Sequence, residues 1–337
     1  MRGRQENTGE VLLKVRNLIK EFKSPGSKAA VHAINDVSFD LYRGETFGLI
    51  GESGSGKTTV GRCILRLIEP TRGGVIYKGK DLMKLKGKEL RRLRPDMQMV
   101  FQDPSNALNP KMNVENTLLD TLNMKEKLSG EKMDKDQIIS KALSQVAMEE
   151  EYRIKYPAEM SGGYQQRVCI ARAICGDPTL VVLDEPTSAL DLPVCAGILD
   201  LLRKLQEELG IAYIYISHDL STIKYICHRV AVMYLGEFVE VGTVDQVFNN
   251  PLHPYSHALL SSVMVPDPGQ KGKTEILRGE IPSPINLPEG CFFHARCPRA
   301  KPECAKCHPE LKDGGEGHLV RCHLLQERNN ERRSVYG

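Results

Sequence analysis

Gly51-Glu52-Ser53-Gly54-Ser55-Gly56-Lys57-Thr58 is a complete G-x-x-x-x-G-K-[ST] segment, and its setting decides how the chain folds. The apolar pair Leu49-Ile50 runs into it as a strand, and Thr58 to Leu67 has helical character after it. In that order of strand, loop and helix, glycines let successive backbone N–H groups curl around phosphate oxygens while the helix N-terminus points at them. Gly51, Ser53, Gly54, Ser55 and Gly56 would form the cradle, with Thr59 following on the helix. Lys57 would reach the β- and γ-phosphates and Thr58 would ligate magnesium. A flexible Gly-Ser turn is the alternative, disfavoured by the matching strand and helix.

Further along, Leu180-Val181-Val182-Leu183 reads as a buried parallel strand ending at Asp184. Asp184 is placed to hold magnesium, directly or through water, and Glu185 to orient and deprotonate an attacking water. Two carboxylates before Pro186 could instead cap a helix or solvate a turn. Ile211 to Ile216 ends likewise at Ser217-His218-Asp219, and Met99 to Phe101 ends at Gln102. A neutral His218 could bridge γ-phosphate and an opposing loop, and Gln102 could contact magnesium or water. Each residue taken alone is more often structural, but functional groups at carboxyl ends of parallel strands are expected in an α/β sheet. Phe22, beyond an initial strand from Val11 to Val15, could stack on adenine or pack in the core.

Between Val114 and Pro157 the pattern is mostly helical, an insert separating two glycine-rich motifs. Ile198, Leu201, Leu202, Leu205 and Leu209 share one helix face in Leu192 to Leu209, with Gly210 as the stop. After about residue 255 the character changes: Pro266, Pro268, Pro282, Pro284 and Pro288 break regular elements, and Gln326 to Gly337 is polar and expected to fray.

The 337 residues suggest two domains, and 41% apolar with 26% charged residues suits a soluble globular protein. Lys and Arg outnumber Asp and Glu by 46 to 43, so little favours a nucleic-acid partner, and Arg91-Arg92-Leu93-Arg94 reads as a solvated face. Without an apolar targeting segment or a run of ~18 apolar residues, the chain is expected in the cytoplasm, free to dock on a membrane protein. Cys63, Cys169, Cys175, Cys195 and Cys227 read as small buried side chains, while five further cysteines fall between Cys291 and Cys322. A cytosolic setting favours a metal there over disulfides.

A second anion-binding-type turn, Ser161-Gly162-Gly163-Tyr164-Gln165-Gln166-Arg167, follows the first by 103 residues. One nucleotide does not need two such turns from one chain. With it, the sequence resembles the ATP-binding subunits of ATP-binding-cassette (ABC) transporters. The first loop looks like Walker A, Gln102 the Q-loop residue, Ser161 to Arg167 the signature, Leu180 to Glu185 Walker B, Ser188-Ala189-Leu190-Asp191 the D-loop and His218 the switch histidine. The family usually has Leu-Ser-Gly-Gly-Gln where this chain has Met160-Ser161-Gly162-Gly163-Tyr164, so the phosphate-touching Ser161 and glycine N–H groups are retained.

The resemblance implies an α/β fold, a P-loop NTPase of the ABC ATPase type with an antiparallel N-terminal β subdomain. A helical insert over about 103–175 lies within an ATPase domain over 1–255, and a small Cys-rich extension spans 256–337. It also implies ATP and Mg2+ as ligands, with Thr58, Gln102 and Asp184 toward magnesium, and Ser161, Gly162, Gly163 and Asp191 toward the ATP of a facing subunit. Gln98 to Pro110 and His253-Pro254-Tyr255-Ser256-His257-Ala258-Leu259-Leu260 look like oligopeptide and dipeptide importer ATPases. Arg62-Cys63 and Asn109-Pro110-Lys111-Met112 are closer to the second of the two ATPases such importers use. Implied partners are a related but different ATPase chain, two transmembrane permease subunits and, indirectly, an extracellular solute-binding protein, at the cytoplasmic face of the membrane.

Cys291, Cys297, Cys304 and Cys322 are separated by five, six and 17 residues, with Cys307 extra. Four thiolates suit zinc or an iron-sulfur cluster, and metal-free thiols remain an alternative. The resemblance implies a [4Fe-4S] cluster, carried there by some family members; His294, His308, His318 and His323 are alternative zinc ligands by residue type, though such histidines are more often surface groups or groups that support a ligand. The leading expectation is an ATPase powering uptake of peptides or a related solute such as nickel or oligosaccharides. A soluble ABC ATPase acting on nucleic acid or ribosomes is the competing class; it would show tandem ATPase domains, a long coiled coil or a basic arm.

Overall fold

The computed structural model describes residues 9–23, 29–261 and 279–325, so Pro266, Pro268 and the Gln326 to Gly337 tail lie outside the described residues. Two long strands open it, β1 (Val11–Lys23) and β2 (Ala30–Tyr42), followed by β3 (Thr46–Ile50), α1 (Lys57–Ile64), β4 (Arg72–Tyr77) and β5 (Lys80–Asp81). Next come α2 (Gly87–Leu93), β6 (Met97–Val100), α3 (Pro104–Ala107), α4 (Val114–Ser129), α5 (Lys135–Gln145) and α6 (Gly162–Ile174). The cassette continues through β7 (Leu180–Asp184), α7 (Leu192–Leu209), β8 (Ala212–Ile216), α8 (Leu220–Ile226), β9 (Arg229–Tyr234) and β10 (Glu237–Thr243). Helices α9 (Val244–Asn249) and α10 (Pro254–Ser261) precede the extension, whose strands are β11 (Lys312–Asp313) and β12 (Leu319–Val320).

Among the described residues these strands form two sheets. One is antiparallel in the order β2-β1-β4-β5; the other runs β11-β12-β10-β9-β3-β8-β7-β6, with β6, β7, β8, β3 and β9 parallel. The apolar runs exist because both faces of the parallel sheet are covered. In β8, Ala212, Ile214 and Ile216 point into a core shared with β1, β2, β4 and α1, while Tyr213 and Tyr215 point into a second core with α4 to α7. β7 alternates in the same way, with Leu180 and Val182 on one side and Val181 and Leu183 on the other.

Two element boundaries differ from expectation. The first strand runs eight residues past Val15, to Lys23, because register shifts between Val15 and Leu18 and between Lys20 and Glu21 let it keep pairing with β2. The helix after the phosphate loop stops at Ile64 rather than Leu67. Arg66 turns left-handed at φ 49°, and its guanidinium caps the carbonyls of Leu82 and Leu85. The α7 boundaries match, and Gly210 ends it at φ 66°. Cys63, Cys169, Cys175 and Cys227 are buried as expected; Cys195 is only half-buried.

Between β6 and β7 the connection is made of helices and short turns. Arg153 ties it together, donating to Glu115 at 2.9 Å, Asp136 at 2.6 Å and Glu150 at 3.3 Å.

Candidate nucleotide site

The phosphate loop closes on itself. Lys57 Nζ donates to the carbonyls of Gly51 at 2.8 Å and Glu52 at 2.9 Å, and Ser55 N donates to Glu52 O at 3.2 Å. Burial is the largest influence on Lys57 and lowers its pKa, while the charges of Glu185, Asp184 and Glu52 oppose that. Gly56 sits at φ 102°, and a Cβ there would stand 2.2 Å from Ala33 O; Gly51 is equally closed, by Met233 O at 2.2 Å. Ser53 and Gly54 are exposed at the tip, and Thr59 is half-buried on the first turn of α1.

Beside the loop, Thr58 Oγ1 donates to Asp184 Oδ1 at 2.8 Å. Two oxygen ligands side by side at the end of β7 suit a hard cation such as Mg2+. Burial, first among the causes, raises the Asp184 pKa, and the Thr58 hydrogen bond lowers it.

Glu185 is the meeting point. Gln102 Nε2 donates to its Oε2 at 2.8 Å, and His218 Nδ1 lies 3.0 Å from its Oε1. The expected convergence of the ends of β6, β7 and β8 is therefore present. Glu185 itself has a left-handed backbone at φ 47°, fixed by its N–H to Ile216 O at 2.9 Å, the kind of local strain that persists where surroundings over-determine a conformation. Phe22 is 40% exposed, with Lys20 Nζ 4.8 Å from its ring centroid, so its face is not spent on core packing.

The second glycine turn belongs to a different neighbourhood. Ser161 precedes α6 as its N-cap, exposed and making no side-chain capping bond. The two glycines are not equivalent: a Cβ on Gly163 would stand 2.6 Å from Val194 Cγ1, whereas one on Gly162 would meet only Leu190, at 3.6 Å. Gly163 thus lets α6 approach α7 within this chain, while Gly162 is exposed. Tyr164, where the family usually has Gln, stacks on Tyr152 with ring centroids 4.6 Å apart and planes 19° from parallel. Asp191 caps α7, accepting from Val194 N at 3.1 Å.

Several residues around the site escaped the sequence reading. Gln165 links the Q-loop to the signature helix, accepting from Ser105 Oγ at 2.8 Å and donating to Pro157 O at 2.8 Å. Tyr255 Oη accepts from Glu52 N at 3.0 Å, and Arg296 is paired with the Glu52 carboxylate. Gln165, Tyr255 and Glu52 all lay in stretches singled out beforehand, but nothing local marked their partners.

The cysteine expectation is corrected. Cys291, Cys297, Cys304 and Cys322 are not assembled into a [4Fe-4S] or zinc ligand set, since among the described residues no three His, Cys, Asp or Glu side chains are gathered to hold a metal ion. Lys301 N approaches Cys304 Sγ at 3.5 Å, His318 bonds Glu240, His308 bonds Glu237, and His294 and His323 face the carbonyls of Cys291 and Cys307. Burial pushes the Cys291 thiol up to about 12.

The family model described as "ABC transporter" matches residues 34–188, and that described as "Oligopeptide/dipeptide transporter, C-terminal region" matches residues 239–304. A chain of Brucella ovis named for peptide import and ATP binding is 45% identical over 92% of this chain and 97% of its own length. The oligopeptide transport ATP-binding protein AppF of Bacillus subtilis is 43% identical over 87% of this chain and 90% of its own. Among solved structures, the dimeric ATP-binding cassette MJ0796, in a post-hydrolysis state bound to ADP and Pi, superposes with a TM-score of 0.62 at 29% identity. That alignment covers 69% of this chain and 99% of that one.

Proposed function

This chain belongs to the ABC transporter family, and from that premise we propose that it is the ATP-hydrolysing subunit of a binding-protein-dependent importer of oligopeptides or dipeptides. The observation that carries the chemistry is the Glu185 carboxylate, which receives Gln102 and His218 beside the Thr58–Asp184 pair. In this reading Glu185 takes a proton from water as the water oxygen bonds to the γ-phosphorus, and the bond from that phosphorus to the bridging oxygen breaks to leave ADP and phosphate. Gln102 and His218 hold the carboxylate in place, and Lys57 with the loop N–H groups binds the phosphates. Thr58, Asp184 and Gln102 would hold Mg2+, which when bound neutralises phosphate charge. Phe22 would receive the adenine face.

Residues 1–255 form the ATPase unit in this reading, and 256–337 the importer-type extension. The exposed Ser161 and Gly162 serve a partner's nucleotide, in keeping with the dimeric cassette whose fold this chain shares. A related second ATPase and two transmembrane permease subunits complete the assembly, with this chain peripheral at the cytoplasmic face of the membrane. Among the described residues no helix is long and apolar enough to cross a membrane. The test is co-expression with candidate permeases and a second ATPase in vesicles. ATP-dependent peptide uptake is expected; Gly162→Asp should spare this chain's own ATP binding while cutting hydrolysis at the partner's Walker A site. Loss confined to this chain's own site would overturn the shared-site reading, and ATP hydrolysis indifferent to peptide-loaded binding protein would overturn the importer reading.

A further inference from the structure

The phosphate loop carries an acidic side chain, Glu52, in the segment meant for a polyanion. A carboxylate beside phosphates opposes their binding unless its charge is answered. Here the answer comes from 244 residues away: Arg296 donates Nη1 to Glu52 Oε2 at 2.8 Å and Nη2 to Oε1 at 3.0 Å, a bidentate fork. The Arg296 side chain is only 6% exposed and that of Glu52 24%, so solvent does little to screen the pair.

The support for Arg296 is equally specific. It sits on the short turn His294–Arg296, next to Phe293, whose ring packs against Tyr234 at 5.3 Å and Tyr255 at 5.4 Å. Arg296 lies over the Tyr234 ring at 5.8 Å, and Tyr255 accepts the backbone N–H of Glu52. Both the charge and an N–H of one phosphate-loop residue are therefore held by residues at or beyond 255. A merely decorative surface pair would lack this burial and this second anchor.

We propose that Arg296 is a positioning residue for nucleotide binding, through which the docked C-terminal extension neutralises Glu52 and fixes the phosphate loop. The inference rests on the ATP-site reading above. A buried pair broken from one side leaves an uncompensated charge, so removing Arg296 alone should harm the loop more than removing both partners.

The test is a double-mutant cycle on the full chain, reading MgATP dissociation constants by calorimetry. Arg296→Met should weaken binding roughly tenfold, and adding Glu52→Gln should return the affinity to within about twofold of Glu52→Gln alone. In the assembled transporter, Arg296→Met should raise KM for ATP and leave kcat close to parental, a split that loss of folded protein would not give. Parental affinity in Arg296→Met, or simple additivity of the two changes, overturns the proposal. Should Arg296→Met fail to fold, Arg296→Lys keeps the charge without the fork; about threefold weaker binding is expected, and parental affinity overturns the proposal. Failure of the parental chain to bind MgATP would instead sink the ATP-site reading.

Discussion

The phosphate loop and the segment from Cys291 to Val320 are both irregular, yet they are held in opposite ways. The loop is first closed within itself, with Lys57 bonding Gly51 and Glu52, and its glycines fit against the backbone of Ala33 and Met233 before Tyr255 and Arg296 add their hold on Glu52. The extension is fastened to the cassette by distant charges: His318 Nε2 to Glu240 at 2.7 Å, His308 Nε2 to Glu237 at 2.9 Å, and Arg321 Nε to Phe238 O at 3.1 Å. A locally closed motif can be written in a few consecutive letters, whereas a docked extension depends on partners the sequence does not place together. The proposed ATP chemistry draws on the first kind of structure, and the proposed role of Arg296 on the second.

The largest effect expected is on the local side. Glu185→Gln should lower ATP hydrolysis by about 100- to 10,000-fold while keeping ATP binding. Steady-state phosphate release together with nucleotide binding measures both, and parental turnover would remove Glu185 from the role of base. On the docked side, Glu240 is fully buried and accepts from Leu252 N, His253 N and His318. Glu240→Ala should destabilise the protein by about 3–5 kcal/mol in denaturant titrations. A loss under about 1 kcal/mol would mean that apolar packing, not buried charge, holds the extension.

Two histidines where the extension meets the cassette, one from each, should respond to pH in opposite senses. Burial pushes the His253 pKa down from 6.5 to about 4, so the unfolded chain takes up its proton first. Stability from His253 is therefore full above about 6.5 and declines as pH falls from there toward 4. The hydrogen bond from Glu237 raises the His308 pKa above 6.5, so its contribution is full below that value and is lost as pH rises through the raised pKa. Melting temperatures from about pH 5 to about pH 9 should show both limbs, and His308→Gln should flatten the alkaline one. An alkaline limb that persists in that variant would assign it to another group.

The smallest contrast separates the two signature glycines. Gly163→Ala, pressing on Val194, should cost about 1–3 kcal/mol, while Gly162→Ala should stay within about 0.5 kcal/mol in the isolated chain. Equal losses would place both glycines in the same intramolecular role.

These contrasts follow what the sequence made legible. Asp184, Glu185, His218 and Gln102 could be located because each ends an apolar run, and strand ends of a parallel sheet meet on one side. The surplus glycine turn was legible as such, but the division of labour between Gly162 and Gly163 depends on where α7 passes. Tyr164 read as a departure from the usual signature, while its stacking on Tyr152 depends on how a turn of the insert folds back. The four cysteines offered a ligand count without geometry, and the fold engages their neighbours elsewhere. Arg296 and Glu52, 244 positions apart, share no periodicity or spacing that could have joined them.

Strand β12 has a further consequence. It pairs with β10 through only Glu240↔Val320 and Val241↔Leu319, and β11 follows on its far side with two residues more. Sheet edges offer unpaired N–H and C=O groups on which another chain can build, and very short terminal strands are a common defence. By laying two such strands over β10, the extension leaves little ladder for a neighbouring copy to extend. That edge of the sheet is therefore a short template for edge-to-edge pairing.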